Sequence, residues 1–284
     1  MPSASPTSSP SPAPVEPAWT DPLLANPHAV VDKANRVNQM FSAIAPSYDL
    51  NNRLHSLWMD QHWRSVAVKM ADVKPTDTIV DVACGTGDLT LKFAKTLALK
   101  RSKIQNSELR IQNSPQLLGI DFTYEMLPIA RQKAARCLEH WKLEIENSPA
   151  FLQGNALALP LPDRSADILS IAFGIRNVAD WGKAIDEFAR VLRPGGRLII
   201  LEFSLPTNPL MRGLYNFYFR KIMPITATLI SGDKSGAYKY LPKSVNTFIS
   251  RQAMQDRMQA AGFTDIVARP LTFGICVCYK GVRT

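Results

Sequence analysis

Basic residues are missing from the start of the chain, where Lys33 is the first lysine or arginine. No apolar stretch of signal-peptide type stands beside that start, so no secretory signal is expected, and its lack of arginine argues against a mitochondrial transit peptide. No run of 18 or more apolar residues occurs, so nothing should span a bilayer; the expected compartment is cytoplasmic. Cysteine is scarce. Cys84, Cys137, Cys276 and Cys278 include no C-x-x-C pair, and His28, His55, His62 and His140 show no metal-ligand spacing. Neither a disulfide nor a metal is expected. Cys276 and Cys278, two apart in an apolar run, should share one strand face in the core. Dense basic blocks interleaved with aromatics are also lacking, which argues against nucleic acid as a partner.

What is present suits a folded enzyme-sized unit. The 284 residues are 46% apolar and 20% charged, enough for one large α/β domain with a modest tail. The formal net charge of +9 favours an anionic partner, such as a membrane surface or a charged small molecule.

Residues 1–28 read as a Pro/Ser-rich tail that cannot bury enough apolar surface to offset its own ordering. Residues 29–284 read as a single domain. It opens with a helical cap over 32–71, in which Val37, Met40, Phe41 and Ile44 make one apolar face and Pro46 ends the first helix. A second cap helix is expected from Leu54 to Met70. Strands then alternate with helices: Thr78–Ala83, Gln116–Asp121, Ala150–Gly154, Ala166–Ala172 and Arg197–Phe203, with helices between them. That rhythm predicts a mostly parallel α/β sheet covered by helices on both faces. A polar insertion at 100–115 repeats Ile-Gln-Asn-Ser twice and reads as a surface loop. An aromatic stretch at 208–240 breaks the alternation like a lid. Two final apolar runs flank Pro270 and predict an antiparallel C-terminal hairpin.

The chemistry begins at the first strand. Asp81 leads through Gly85, Thr86 and Gly87 into a helix, and such a turn brings backbone N–H groups close to a ligand. A dinucleotide site wants a third glycine, and that position holds Thr90. The ligand should therefore lack a pyrophosphate, and S-adenosylmethionine fits. Asp121 ends the second strand, where a carboxylate can accept from two ribose hydroxyls. Its distance from the turn exceeds the roughly 20 residues usual for this pairing, and the polar insertion accounts for the excess. Asn155 follows the third strand, placed to meet an adenine edge.

The chain resembles the ubiquinone/menaquinone biosynthesis C-methyltransferases. The resemblance rests on residues 40–49 (MFSAIAPSYD) with Asn52 and Trp63-Arg64, on 81–88 (DVACGTGD), and on 119–122 (GIDF) with 125–127 (EML). It continues through 172–178 (AFGIRNV), 190–197 (RVLRPGGR), 201–204 (LEFS) and 240–244 (YLPKS). It implies a seven-stranded, Rossmann-like class I methyltransferase fold and transfer of a methyl group from S-adenosylmethionine to a ring carbon of a polyprenylated quinol. Thr86, Asp121, Asn155 and Ala156 match the family's cofactor-contacting positions; Ala172 stands where some members have a serine, which removes one contact. With Asp81, Gly85, Gly87, Phe122 and Met126 they form the expected cofactor set.

A quinol ring is electron-rich enough to attack a sulfonium methyl, and its phenolate is better still. Arg176, Asn177 and Tyr48 are the expected catalytic residues. Arg176 stays protonated, so it suits phenolate stabilisation or the ordering of a water. Trp58, Trp63, Arg64 and the stretch 215–221 suggest an isoprenoid groove and a basic-aromatic surface at the inner face of a membrane. A homodimer is a further expected partnership. Demethylmenaquinol is favoured over the ubiquinone precursor. O- or N-methylation of another small molecule and a non-catalytic quinone-binding scaffold remain alternatives.

Overall fold

A computed structural model describes residues 17–102, 117–141, 148–232 and 235–284. Most of the polar insertion and residues 1–16 lie outside the described residues. Seven strands form one sheet in the order β3-β2-β1-β4-β5-β7-β6. They are β1 (Ile79–Val82), β2 (Leu117–Asp121), β3 (Ala150–Gln153), β4 (Ala166–Ala172), β5 (Leu192–Phe203), β6 (Phe263–Leu271) and β7 (Cys276–Arg283). The first five pair in parallel; β7 runs antiparallel to both β5 and β6. The expected fold class is the observed one.

Alternation along the strands divides the core in two. Val80, Val82, Leu169, Leu198 and Ile200 face one cluster, which is closed by α6 (Trp181–Val191) and α10 (Arg251–Ala260). Ile79, Ile168, Ile199, Cys276 and Cys278 face the other, beneath α3 (Met59–Ala71) and α4 (Asp88–Ser102). Strands buried on both faces need continuous apolar runs, and all four residues of β1 are buried. Helix α5 (Met126–Trp141) packs through Leu127, Ala130 and Ala134 on Phe151 of β3.

A third cluster lies outside this frame. It joins α1 (Lys33–Ile44) to α7 (Pro209–Phe217), α8 (Met223–Ser231) and α9 (Ala237–Thr247). Ala18, Trp19 and Leu24, assigned to the tail above, belong to this cluster. Trp19 is buried and stacks on Tyr240 at 4.4 Å between ring centroids, while His28 Nε2 lies 2.9 Å from the carbonyl of Ser244. Tail composition does not reveal this, because Trp19 and Leu24 find their apolar partners only in α9 and its neighbours.

Two local expectations are corrected. The second cap helix is two, α2 (Tyr48–His55) and α3, broken where Leu57 and Trp58 take left-handed φ of 51° and 61°. Pro270 lies inside β6 opposite Val277, and the chain turns instead at Thr272–Gly274. Strand β6 is the sheet edge, where a missing N–H costs no ladder bond.

Candidate active site

The chain reverses its winding between β1 and β4, and ligands of open α/β sheets bind at such a point, beyond the carboxyl ends of the strands. Three adjoining cavities lie there. The first, about 830 Å³, is lined by Ala83 and Gly85 after β1, Asp121 and Phe122 after β2, Gly154 to Leu157 after β3, and Ala172 to Gly174 after β4. Val37, Phe41 and Tyr48 of the cap roof it. The second, about 660 Å³, lies between cap and lid and is lined by Tyr48, Asp60, Arg64, Phe173, Arg176 and Tyr240 among others. The third is smaller, about 310 Å³, and follows the glycine turn along Gly85, Thr86 and Asp88. Tyr48 lines all three, and Phe41 and Phe173 line the first two.

Asp121 is placed as the sequence predicts. Its Oδ2 accepts from the Gly85 N–H at 2.7 Å and its Oδ1 from the Thr123 N–H at 2.8 Å. Each oxygen retains acceptor capacity toward the first cavity, which suits a ribose diol. Burial pushes its carboxyl up to about 6, although those backbone donors pull the other way. Asn155 holds its own turn, with Oδ1 accepting from Leu157 N–H at 2.9 Å. Phe122, Met126, Asn155, Ala156 and Ala172 all line this cavity.

The glycine turn distributes its work unevenly. Gly85 lines the first and third cavities. Gly87 lines none of the three; its φ is +83°, and an added Cβ would lie 3.3 Å from Ala130 and from Phe151. A glycine there serves backbone conformation and packing. Asp81 lines the third cavity, but its oxygens accept from Thr90 Oγ1 at 2.6 Å and Ser170 Oγ at 2.7 Å. Burial raises its carboxyl to about 6. Thr86 Oγ1 donates to Asp49 at 2.6 Å, and Lys133 Nζ donates to Thr86 Oγ1 at 3.0 Å. Burial works against the Asp88 carboxylate, yet Arg64, Lys133 and Arg53 hold it well below the usual range.

Arg176 lines the second cavity and Asn177 the first. The Arg176 Nη1 donates to Glu202 Oε1 at 2.7 Å and to the Phe173 carbonyl at 2.7 Å, and all three groups are buried or nearly so. Asn177 donates to the same carbonyl at 3.2 Å and accepts from Tyr240 Oη at 3.0 Å. Lys33 Nζ donates to the carbonyls of Arg176 and Val178, both at 2.8 Å, which ties α1 to this turn. Burial raises the Tyr48 hydroxyl above its ordinary range, against the nearby Arg64 charge.

Sequence reasoning missed Phe41, Phe173, Asp60, Glu202 and Tyr240. Phe173 lies inside the matched 172–178 block, but its left-handed φ of 58°, rare for a bulky residue, is invisible in sequence. Trp63 and Arg64 are buried, so they belong to no surface; of that group Trp58 is exposed.

A 3-2-1-4-5-7-6 sheet with an antiparallel β7, a carboxylate at the end of β2 and a pyrophosphate-free glycine turn define an S-adenosylmethionine-dependent methyltransferase. Solved structures share the fold. Magnesium protoporphyrin IX methyltransferase of Synechocystis, with bound S-adenosylmethionine, has a TM-score of 0.55 at 15% identity, covering 90% of this chain and 99% of that one. A methyltransferase of Thermotoga maritima has a TM-score of 0.54 at 19% identity, covering 87% and 100%. The chain belongs to the ubiE/COQ5 methyltransferase family, whose model matches residues 29–283. It is 43% identical to the demethylmenaquinone methyltransferase of Thermus thermophilus, over 86% of this chain and 100% of that protein. It is 38% identical to the ubiquinone/menaquinone biosynthesis C-methyltransferase UbiE of Geobacter sulfurreducens, over 90% and 91%.

Proposed function

We propose that this protein methylates a ring carbon of a polyprenylated quinol, with demethylmenaquinol preferred over the benzoquinol precursor of ubiquinone. The observation that carries the reading is the meeting of two cavities at Phe41, Tyr48 and Phe173. Bound S-adenosylmethionine would supply an electrophilic methyl group on a sulfonium: the new ring C–CH3 bond forms as the S–CH3 bond breaks, S-adenosylhomocysteine leaves, and the displaced ring proton passes to water. Asp121 holds the ribose, Asn155 and Ala156 face the adenine edge, and Phe122 and Met126 give apolar walls. Tyr48, Phe41 and Phe173 exclude water at the junction and hold the acceptor ring against the methyl-bearing side, where alignment yields most of the acceleration.

Arg176 acts on the ring oxygen. Glu202 is not among the residues lining the second cavity, so the buried pair presents its cationic end to it. A positive end fixed in a water-poor site stabilises negative charge developing on a quinol hydroxyl. Asn177, fixed between the Phe173 carbonyl and Tyr240, positions that turn.

The quinol tail and the membrane belong to one further surface. Leu54 and Trp58 beside α2, and Leu214, Phe217, Ile225 and Leu229 of the lid, are exposed. Helices α2 and α8 pack together, with His55 Nε2 2.9 Å from Thr226 Oγ1. An apolar face of this kind on a chain of net charge +9 suits peripheral contact with anionic lipid. Among the described residues no helix is long and apolar enough to cross a membrane.

The test offers the purified protein methyl-labelled cofactor with demethylmenaquinol or the benzoquinol precursor, and locates the label. Label on a ring carbon of demethylmenaquinol is expected. Label on oxygen, or none on either quinol while the cofactor binds, ends the reading.

A further inference from the structure

Arg64 is a buried cation with part of its hydrogen-bonding capacity unspent. It sits on α3 with a side chain 7% exposed. Its Nη1 donates to Asp60 Oδ2 at 2.8 Å and to the Asp60 carbonyl at 3.2 Å. Among the described residues these are its only hydrogen bonds, which leaves Nε and Nη2 for the cavities that it lines, the second and the third. Its Cζ also lies 5.2 Å from the Phe173 ring centroid, and none of its nitrogens is sealed from solvent without a partner, so the spare donors open onto cavity space where a ligand anion can meet them.

The third cavity indicates which anion. Tyr48, Ala83, Gly85 and Ala172 line both it and the first cavity, so the two adjoin around the glycine turn. A ligand whose ribose meets Asp121 in the first can extend along the glycine turn into the third. Among the described residues Arg64 is the one lysine or arginine lining that cavity, where Asp81 and Asp88 also stand. Its charge reaches both: it lowers the Asp88 carboxyl and opposes the burial that raises Asp81. Acidic neighbours suit an ammonium, and a single forked cation suits a carboxylate.

We propose that Arg64 anchors the α-carboxylate of the cofactor's amino-acid end in the third cavity. The proposal rests on the cofactor reading and extends it to a residue of the cap. Cap and cofactor are then coupled, because α3 is held through Arg53, which bridges Asp60 at 2.6 Å and Asp88 at 2.7 Å.

The test is calorimetry with three probes: S-adenosylhomocysteine, its decarboxylated counterpart S-adenosyl-3-thiopropylamine, and 5′-methylthioadenosine, which lacks the amino-acid end. Wild-type protein should bind the first at least tenfold tighter than the second, the worth of a charge-assisted pair. In Arg64→Met that preference should collapse, with affinity for the two carboxylate-free probes changed less than threefold. Asp60 keeps Arg53, Ser56 and Gln61 as partners, so the variant retains its fold. Arg64→Lys should recover part of the preference. Equal weakening toward all three probes, or unchanged affinity with a raised Michaelis constant for quinol, overturns the proposal. Wild-type protein that binds none of the three would overturn the cofactor reading itself, whereas binding of methylthioadenosine alone would remove only the role of Arg64.

Discussion

Thr90 donates a 2.6 Å hydrogen bond to Asp81 with both side chains sealed from solvent. The residue that breaks the dinucleotide glycine pattern is therefore the one that ties α4 to β1. Ser170, the register partner of Asp81 on β4, donates to its other oxygen. A carboxylate held by two neutral hydroxyls in the core remains costly to ionise. Its folded value of about 6 lies above the ordinary 3.8, so the native state binds the proton more tightly than the unfolded chain. Stability should then fall as pH rises from about 4 to 6. Asp81→Asn removes the charge, and its amide can serve both rotatable hydroxyls. Relative to wild type, the variant should gain roughly 3 kcal/mol between pH 4 and 7, read by denaturant unfolding of cofactor-free protein. A difference independent of pH would refute the assignment.

Asp121 differs because its partners are backbone N–H groups that cannot turn away. Asp121→Ala strips the acceptor from Gly85 and Thr123 as well as from a ribose. Cofactor binding should weaken by roughly ten- to a hundredfold. Methylthioadenosine should weaken by the same factor, since it carries the ribose. An effect confined to ligands with an amino-acid end would be inconsistent with this placement.

The parallel sheet was legible because strands buried on both faces and helices buried on one leave different periods, as in Ala166–Ala172 and Trp181–Val191. Asp121 was legible because a strand end fixes where its side chain must go. The cap was only half legible. Its apolar face at Val37, Met40 and Ile44 showed, but its partners Tyr215, Phe219 and Tyr240 lie over 170 residues away, and no local pattern joins them. Arg64 beside Trp63 looked like a surface pair for lack of any sequence sign that Asp60 and Phe173 enclose it.

Arg176 is held in an ion pair that stability measurements can separate from catalysis. Arg176→Met leaves Glu202 buried and unpaired, and should cost roughly 3–5 kcal/mol. The double substitution Arg176→Met with Glu202→Gln should recover most of that loss. Turnover should stay at least a hundredfold down in both, because the Arg176 cation beside the acceptor ring is gone while Arg64 stays in place. Recovery of turnover with stability would reduce Arg176 to a structural residue.

Trp19 anchors the chain's N-terminal approach to the cap. It is 2% exposed and stacks on Tyr240, whose hydroxyl reaches Asn177. Trp19→Ala should destabilise by roughly 3–5 kcal/mol, as large-to-small changes in aromatic cores do. Loosening Tyr240 should also raise the Michaelis constant for quinol more than that for the cofactor. Thermal unfolding and steady-state kinetics read the two effects, and an unchanged melting temperature would place Trp19 outside the core.

The exposed apolar face makes a prediction that catalysis alone cannot mimic. Phe217 and Leu229 are 62% and 78% exposed, so replacing both by aspartate should leave the fold intact. If that face enters lipid, each loses roughly 1.5–3 kcal/mol of burial on binding, and the new charges meet anionic headgroups. Sedimentation with vesicles containing phosphatidylglycerol should drop by at least tenfold, while wild-type binding should weaken with added salt only in part. Turnover on a quinol with a single prenyl unit in detergent should be unchanged in the variant. Equal sedimentation of variant and wild type would assign this face elsewhere and leave the ring chemistry untouched.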